Sequence, residues 1–242
     1  MIDGAPIIVI ASGLKQSTNR KTGSMLQTYI LRRDVSPVDA IRTGADASIC
    51  GDCPARGDVV AMPDGSASNN GRRCYVNVGQ GPLSVWRAWQ RGAVPSIADA
   101  SEIPGIGAGR MVRLGTYGDP AAVPADVWRA LTMRAAGHTG YTHQWRKPIA
   151  APLRSLCMAS ADSEADARDA SASGWRYFRV AMPGDAPRVI GEAICPASAE
   201  AGRKLTCDAC GACSGANGRR GSIVIQAHGG FAVMANIRRR VA

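Results

Sequence analysis

Residues 155–180 read SLCMASADSEADARDASASGWRYFRV and contain a complete strand–helix–strand pattern. The apolar runs at residues 155–159 and 175–180 are typical of short buried strands. The segment between them begins at Ser163, a residue type that favours the cap position before a helix. Two strands that flank a helix usually pair in parallel, so this unit predicts a βα-repeat fold.

The same alternation extends over the C-terminal part of the chain. Further strands are predicted at residues 111–115, 140–143, 189–193 and 222–228, with a helix at residues 124–136. We therefore predict a single α/β domain over residues 1–242, in which residues 106–242 form the βα repeats. Its parallel sheet is expected to be open or curled into a partial TIM-like barrel.

The N-terminal part, residues 1–105, is predicted to be less regular and to carry the first cysteine region. Short strands fit residues 7–11 and 26–31. A cap residue followed by proline predicts a helix over residues 37–43, which leads towards the first cysteines. Residues 62–71 are rich in Gly, Ser and Asn and predict a loop.

The strongest functional signal is the C-terminal group among the eight cysteines of the chain. Cys207, Cys210 and Cys213 are each separated by two residues, a spacing that wraps a loop around an iron–sulfur cluster. Cys195, upstream and followed by proline, can supply a fourth thiolate. We therefore predict a [4Fe-4S] cluster at this group.

A second cysteine group lies nearer the N-terminus. Cys50, Cys53 and Cys74 can hold a second cluster, which is open at one iron unless a fourth ligand closes it. Cys157 lies in an apolar run and is equally compatible with a buried small side chain and with that fourth ligand. The sequence therefore allows one cluster or two.

Two other roles for the cysteines are open. Zinc is the stronger alternative, because Cys50 and Cys53 alone also have a zinc-binding spacing and the chain has a net charge of +10. Zn2+ would then stabilise a nucleic-acid-binding protein without catalysis. A disulfide framework is disfavoured, because 242 residues are enough to build a hydrophobic core.

The first residues do not resemble a secretory signal, because Asp3 and no basic residue precede the first apolar run. No apolar run is long enough to span a bilayer. We expect a protein of the cytoplasm, the host cytoplasm if it is encoded by a phage, without a membrane partner. The identity of its substrate is not evident from the sequence.

Candidate catalytic residues follow the predicted strands, because parallel sheets bind ligands at the carboxyl ends of their strands. Asp119, His143, Asp162 and His228 lie at such ends, and we expect them to share one rim with a cluster. Simpler roles are open for three of them. Asp119 can start a turn, Asp162 can cap a helix, and His143 can bond to a backbone carbonyl.

The N-terminal loop NRKTG at residues 19–23 contains two candidate cofactor-binding residues. Lys21 and Thr22 could hold an anionic group of a cofactor. An ordinary β-turn is the alternative for this loop.

Several short motifs together resemble a phage family. They are NRKTG at 19–23, QTY at 27–29, the Cys50 and Cys53 pair, CY at 74–75, GQGPLSVW at 79–86, YGDP at 117–120, the C-terminal cysteines and IVIQAHG at 223–229. In this order they resemble bacteriophage gene-product-88-type proteins and a set of uncharacterised phage iron–sulfur proteins.

The resemblance implies iron–sulfur clusters on a fold similar to the partial barrel of radical S-adenosylmethionine enzymes. If the N-terminal site is open, its unique iron could coordinate a cofactor or substrate for one-electron chemistry, and the C-terminal group would hold a closed auxiliary cluster. The spacing of Cys50, Cys53 and Cys74 does not show that S-adenosylmethionine binds there. The Cys-x3-Cys-x2-Cys motif of that superfamily is absent from this chain.

Overall fold

A computed structural model describes residues 2–15, 19–216 and 220–227 of the protein. The strands are β1 (Ile7–Ser12), β2 (Leu26–Arg32), β3 (Asp58–Ala61), β4 (Ala67–Asn70), β5 (Met111–Tyr117), β6 (Gly137–Thr142), β7 (Met158–Ala161), β8 (Tyr177–Ala181), β9 (Glu192–Ile194) and β10 (Ser222–Gln226). The α-helices are α1 (Pro37–Thr43), α2 (Ala47–Cys50), α3 (Gly81–Gln90), α4 (Ile103–Gly107), α5 (Ala125–Thr132), α6 (Glu164–Ala172) and α7 (Cys207–Cys210).

Eight of the described strands form one sheet in the order β1-β2-β5-β6-β7-β8-β10-β9. Only β1 and β2 pair in antiparallel fashion, and the other neighbours pair in parallel. The predicted α/β class with a parallel βα-repeat sheet is therefore confirmed. The sheet of the described strands is open, with β1 and β9 at its two edges.

The N-terminal elements follow local sequence signals. The side chain of Ser36 accepts a hydrogen bond from the backbone of Asp39, and Pro37 occupies the first turn of α1, where its missing N–H is not needed. α1 ends at Gly44, which has a φ of +80°. The helix predicted at residues 37–43 is thus confirmed.

Other local predictions are wrong in detail. Residues 67–70, predicted as part of a loop, form β4 and pair with β3 in a separate hairpin. The helix predicted at residues 124–136 ends at Thr132. The strand predicted at residues 155–159 begins only at Met158, so Cys157 precedes it. The boundaries of these strands depend on pairing with other segments of the chain, which the composition of a segment does not reveal.

The two faces of the sheet have different surroundings. On one face, Val112 and Leu114 of β5 pack in the main core with Trp128 of α5. Side chains alternate along a strand, so Arg113 lies on the opposite face. There a second apolar cluster contains Met158, Cys195, Cys213, Ile223 and Ile225, with Tyr141, Phe178 and Val180 packed against it. The second face is therefore covered by cysteine-bearing loops.

Within the described part of the chain, no helix combines the length and the apolar character that crossing a membrane requires.

A fully buried ion pair joins β8 to β9. Nε of Arg179 lies 2.7 Å from Oε1 of Glu192, and both side chains are inaccessible to solvent. The Glu192 carboxylate also accepts a hydrogen bond from the backbone of Val189. Burial raises the pKa of Glu192, but the guanidinium of Arg179 outweighs this effect, so that the pKa lies below its usual value. The pair fixes the segment that leads to Cys195.

We expect Glu192→Gln to lower the free energy of unfolding by about 3–5 kcal/mol, because it leaves a buried guanidinium without its counter-ion. Urea denaturation followed by circular dichroism measures this change. Asp126→Asn is the matched control, because Asp126 pairs with Arg129 on the surface and such pairs contribute little.

The same pair predicts a pH dependence. Since the folded-state pKa of Glu192 is lowered, the stability it contributes is present above its ordinary value of 4.5 and is lost as the pH falls through the lower folded-state value. The stability difference between the wild type and Glu192→Gln should narrow in acid. Equal losses in the free energy of unfolding for Glu192→Gln and Asp126→Asn would contradict the stabilising role of the buried ion pair.

Candidate cysteine-lined site

One cavity of about 490 Å3 lies on the second face of the sheet. Its wall includes seven of the eight cysteines, Cys50, Cys53, Cys74, Cys195, Cys207, Cys210 and Cys213. Asp119, His143 and Asp162, at the carboxyl ends of β5, β6 and β7, also line it. The cavity therefore brings together both cysteine groups and three of the four predicted catalytic residues. His228 lies outside the described residues.

All eight cysteines are free thiols. The four thiols of the C-terminal group influence one another electrostatically: Cys195, Cys207 and Cys210 all raise the pKa of Cys213. Cys195 directly follows β9, and its backbone N–H donates to Val224 of β10 at 2.8 Å. The four thiols predicted to hold one cluster are therefore neighbours around the cavity.

Arg176 fixes the C-terminal cysteine loop. Its guanidinium donates to the backbone oxygens of Ala212 at 3.0 Å, Ser214 at 2.6 Å and Gly221 at 2.7 Å. The backbone N–H of Gly140 on β6 also donates to the oxygen of Cys213 at 3.2 Å. The loop is thus tied to the sheet through its own carbonyl groups.

Positive charge and a tyrosine surround this group. Burial raises the pKa of Cys213 to about 12, although a hydrogen bond with Tyr141 opposes the rise. Burial also raises the pKa of Cys207, and the nearby cations Arg113 and Lys21 oppose it. These neighbours favour the thiolate form, which is the form that binds metal.

Hydrogen bonds also hold the backbone around the N-terminal cysteine group. The side-chain amide of Gln144 donates to the backbone oxygen of Cys50 at 3.1 Å. The oxygen of Ala55 accepts from the backbone N–H of Cys74 at 3.1 Å, which brings Cys74 to the loop of Cys53. Burial raises the pKa of Cys50 well above its usual value, and nearby carboxylates and thiols add to the rise.

Two of the cysteine pairs share a sequence pattern but not one backbone conformation. Cys50 and Cys210 each end a single helical turn, and each is followed by a glycine at positive φ, Gly51 at +55° and Gly211 at +57°, but ψ is −135° at Gly51 and 16° at Gly211. A further cysteine, Cys53 or Cys213, follows two residues after that glycine. The motifs differ at their first position, where the C-terminal one has Cys207 and the N-terminal one has Ala47.

Asp119 holds the backbone beside the cavity in place. Its carboxylate is buried and accepts hydrogen bonds from Thr142 Oγ1 at 2.7 Å, the His143 backbone N–H at 2.8 Å and the Ala121 backbone N–H at 2.9 Å. Burial raises its pKa, and these hydrogen bonds oppose the rise. Asp119 thereby caps the turn after β5, and it ties that turn to the end of β6.

His143 and Asp162 form a pair at the cavity wall. Nε2 of His143 lies 3.3 Å from Oδ2 of Asp162. Burial would lower the pKa of His143, but its interactions with Asp162 and Cys53 outweigh burial and raise the pKa well above the usual value. Ser163, and not Asp162, caps α6 by accepting from the backbone N–H of Asp166.

Of the two predicted cofactor-binding residues, Lys21 lines the cavity and Thr22 does not. The loop is a turn, in which the Asn19 side chain accepts from the backbone N–H groups of both residues at 2.9 Å. Lys21 lines the cavity, and its backbone oxygen accepts from the N–H of Cys207 at 3.0 Å. The hydroxyl of Thr22 accepts from Gln27, and Thr22 is not part of the cavity wall. The turn therefore fastens the C-terminal cysteine motif.

Cys157 lies apart from the other thiols. It is completely buried in the main core and is not part of the cavity wall. A side-chain carbon at Gly140 would lie only 2.7 Å from its sulfur, so the sulfur packs closely against β6. This position corresponds to the buried small side chain that the sequence allowed.

Sequence inspection missed the aromatic and cationic wall of the cavity. The Tyr141 ring packs edge-on against Phe178 with the ring centres 4.9 Å apart, and the guanidinium of Arg113 lies 5.6 Å from the centre of the Tyr141 ring. Arg113 also donates to the hydroxyl of Tyr75 at 2.9 Å. The signal for these residues was the alternation of β5 and β6, in which Arg113 and Tyr141 face away from the core.

In the described ranges, no three or more His, Cys, Asp or Glu side chains are arranged so that they could hold a metal ion. Comparisons of the chain with protein-family models, with curated proteins and with solved structures found no match. The resemblance to phage gene-product-88-type proteins therefore stays a prediction.

We expect Asp119→Asn to lower the free energy of unfolding by about 1–3 kcal/mol, because it removes one acceptor from a buried group that satisfies three donors. Denaturant unfolding of the metal-free protein measures this effect. Asp162→Asn is the control, because the Asp162 side chain is partly exposed and pairs with His143. A larger loss for Asp162→Asn than for Asp119→Asn would refute this role of Asp119.

Proposed function

We propose that this chain is an iron–sulfur protein that holds [4Fe-4S] clusters at its two cysteine groups, on the wall of one shared cavity. The single observation that carries the proposal is that seven cysteines from four distant segments line the same cavity as free thiols. When bound, such clusters supply one-electron transfer. A small substrate would occupy the space between the two groups.

The distribution of the thiols around the cavity supports a cluster more than a single metal ion. A four-iron cluster takes one thiolate at each iron, so its ligands surround a space, whereas the ligands of a single zinc ion converge on one point with Zn–S distances of about 2.3 Å. The thiols here belong to the wall of an open cavity, and the loops that carry them are held by contacts through their backbone carbonyls. We therefore assign Cys195, Cys207, Cys210 and Cys213 to one cluster and Cys50, Cys53 and Cys74 to the other.

The charged residues of the wall have roles that suit this proposal. Lys21 and Arg113 can offset the negative charge of the C-terminal thiolates. Arg56 and Arg72 pair with the buried Asp46 beside the N-terminal group. Asp119 acts as a positioning residue for His143, and Lys21 and Arg113 can attract an anionic substrate.

A finer form of the proposal is a radical S-adenosylmethionine-type redox enzyme on a partial barrel. The parallel strands follow one another in chain order from β5 to β8, without the reversal of strand order that marks doubly wound sheets. That order supports a partial barrel. In this form S-adenosylmethionine would bind the reduced protein at the N-terminal site, and Cys74→Ala would abolish the binding but spare the C-terminal cluster.

The alternative is a zinc-stabilised nucleic-acid-binding protein, which the net charge of +10 supports. It requires single-ion sites, colourless protein and no catalysis. Metal analysis separates it from the iron–sulfur proposal.

We expect anaerobic reconstitution with iron and sulfide to yield brown protein with about four irons and four sulfides per cluster. Cys210→Ser and Cys53→Ser should each reduce the iron content by about half, since each removes a ligand of a different cluster. Iron and sulfide assays, together with electron paramagnetic resonance of the reduced protein, measure these changes.

Cys157→Ala is the matched control, because its thiol lies in the core, and it should keep the full iron content. Tight zinc binding without uptake of iron would end the proposal. A loss of iron in Cys157→Ala equal to that in Cys53→Ser, in a variant that remains folded, would contradict the assignment of ligands.

A further inference from the structure

Two polar atoms of the cavity wall are buried without a hydrogen-bond partner in the described part of the chain. They are Nε of Arg113 on β5 and Oγ1 of Thr139 on β6. Arg113 and Thr139 occupy paired positions of these parallel strands, so their side chains lie next to each other on the same face of the sheet. Because buried polar atoms almost always have partners, two unpaired atoms at one place indicate a ligand site.

Arg113 also lacks an anionic side chain as its partner. Its guanidinium donates to the neutral hydroxyl of Tyr75 at 2.9 Å and lies 5.6 Å from the centre of the Tyr141 ring. No Asp or Glu of the described residues pairs with it, and the rest of the chain contains neither Asp nor Glu. The side chain is largely buried, and a buried guanidinium without a counter-ion is costly. The buried guanidinium of Arg179, by contrast, is paired with Glu192.

The wall beside Arg113 and Thr139 is apolar and aromatic. Tyr141 follows Thr139 by two residues on β6 and lies on the same face. Its ring packs edge-on against Phe178, and Val180 and Ile225 also line the cavity. Sites for small molecules usually combine an apolar wall with a few polar groups that fix the orientation of the ligand. The volume of about 490 Å3 is sufficient for such a molecule.

We propose that the cavity binds a small carboxylic acid with an apolar or aromatic body, whose carboxylate accepts hydrogen bonds from Arg113 Nε and Thr139 Oγ1. Lys21 of the same wall is exposed to solvent, so the buried charge to be matched is that of one guanidinium. A carboxylate matches it with a single negative charge, whereas a phosphate dianion would leave unpaired charge against an apolar wall.

This inference names the substrate class of the proposed iron–sulfur protein, and it rests on that proposal for any chemistry that follows binding. Binding itself depends on side chains of β5 and β6 and not on the cysteine groups. It can therefore be measured on the full chain without metal.

The test is isothermal titration calorimetry of the full metal-free chain with phenylacetate, phenylpropionate and phenylbutyrate. At least one acid should bind with a dissociation constant below about 1 mM, and its neutral primary amide should bind about tenfold more weakly or less. Arg113→Met should weaken binding of the acid by about 10- to 100-fold, and Thr139→Val by about tenfold. Arg129→Met is the matched control and should keep the wild-type affinity, because Arg129 lies outside the cavity wall and pairs with Asp126.

The stability of the Thr139→Val variant without ligand is a second readout. The substitution removes a buried hydroxyl that has no partner among the described residues, so the midpoint of urea denaturation should not fall. A hydroxyl with a purely structural role would instead lower this midpoint and leave the affinity for the acid unchanged.

Three results would overturn the inference. They are the failure of all three acids to bind, equal binding of the acid to the wild type and to Arg113→Met, and tighter binding of phenylbutylphosphonate than of phenylbutyrate. The first result would assign the charge of Arg113 to the thiolate of Cys207, which also acts on it. Iron uptake on anaerobic reconstitution is a separate measurement, so a chain that binds the acid but no iron would defeat the proposed function alone.

Discussion

Parallel pairing of β5, β6 and β7 in chain order is the constraint on which the rest of the site depends. Parallel neighbours end at the same edge of a sheet, so the residues that follow them become neighbours in space. Asp119, His143 and Asp162 meet for this reason, although they are far apart in the chain. The buried carboxylate of Asp119 then locks the arrangement, because it accepts hydrogen bonds from the ends of both β5 and β6.

The cysteine loops are held by side chains that bind their backbone and not their thiols. Arg176 binds carbonyl groups of the C-terminal loop, and Gln144 does the same beside Cys50. These contacts satisfy backbone groups that would otherwise be buried without a partner. The cysteine loops are therefore held in place by contacts with their backbone.

The two ends of the cavity differ in their electrostatic environment. At the C-terminal group, Lys21 and Arg113 lie near the thiols, and the carboxylate of Glu200 acts on Cys195. At the N-terminal group, cations and carboxylates alternate: Asp46 is paired with Arg56 and Arg72, and His143 with Asp162.

Local patterns in the sequence were sufficient for some features. The Ser36 cap and Pro37 predict α1 because helix initiation depends on adjacent residues. The alternation of short apolar runs and helices predicts the parallel class for the same reason. β4 was missed because its residues are polar and small, and only its pairing with β3 makes it a strand. The role of Arg113 was missed because the function of a charged residue on a strand depends on which face of the sheet it lies on.

The sequence by itself determined which residues can act as ligands, since the Cys-Gly-x-Cys spacing is local and the glycine permits the turn that the spacing requires. Only the tertiary structure decided which of these residues share a site. Cys157 and His143 show the difference: the sequence made Cys157 a candidate ligand and His143 a candidate catalyst. Strand pairing buries the first in the core and places the second in the cavity wall. No local pattern reports this, because it depends on contacts between segments that are distant in the chain.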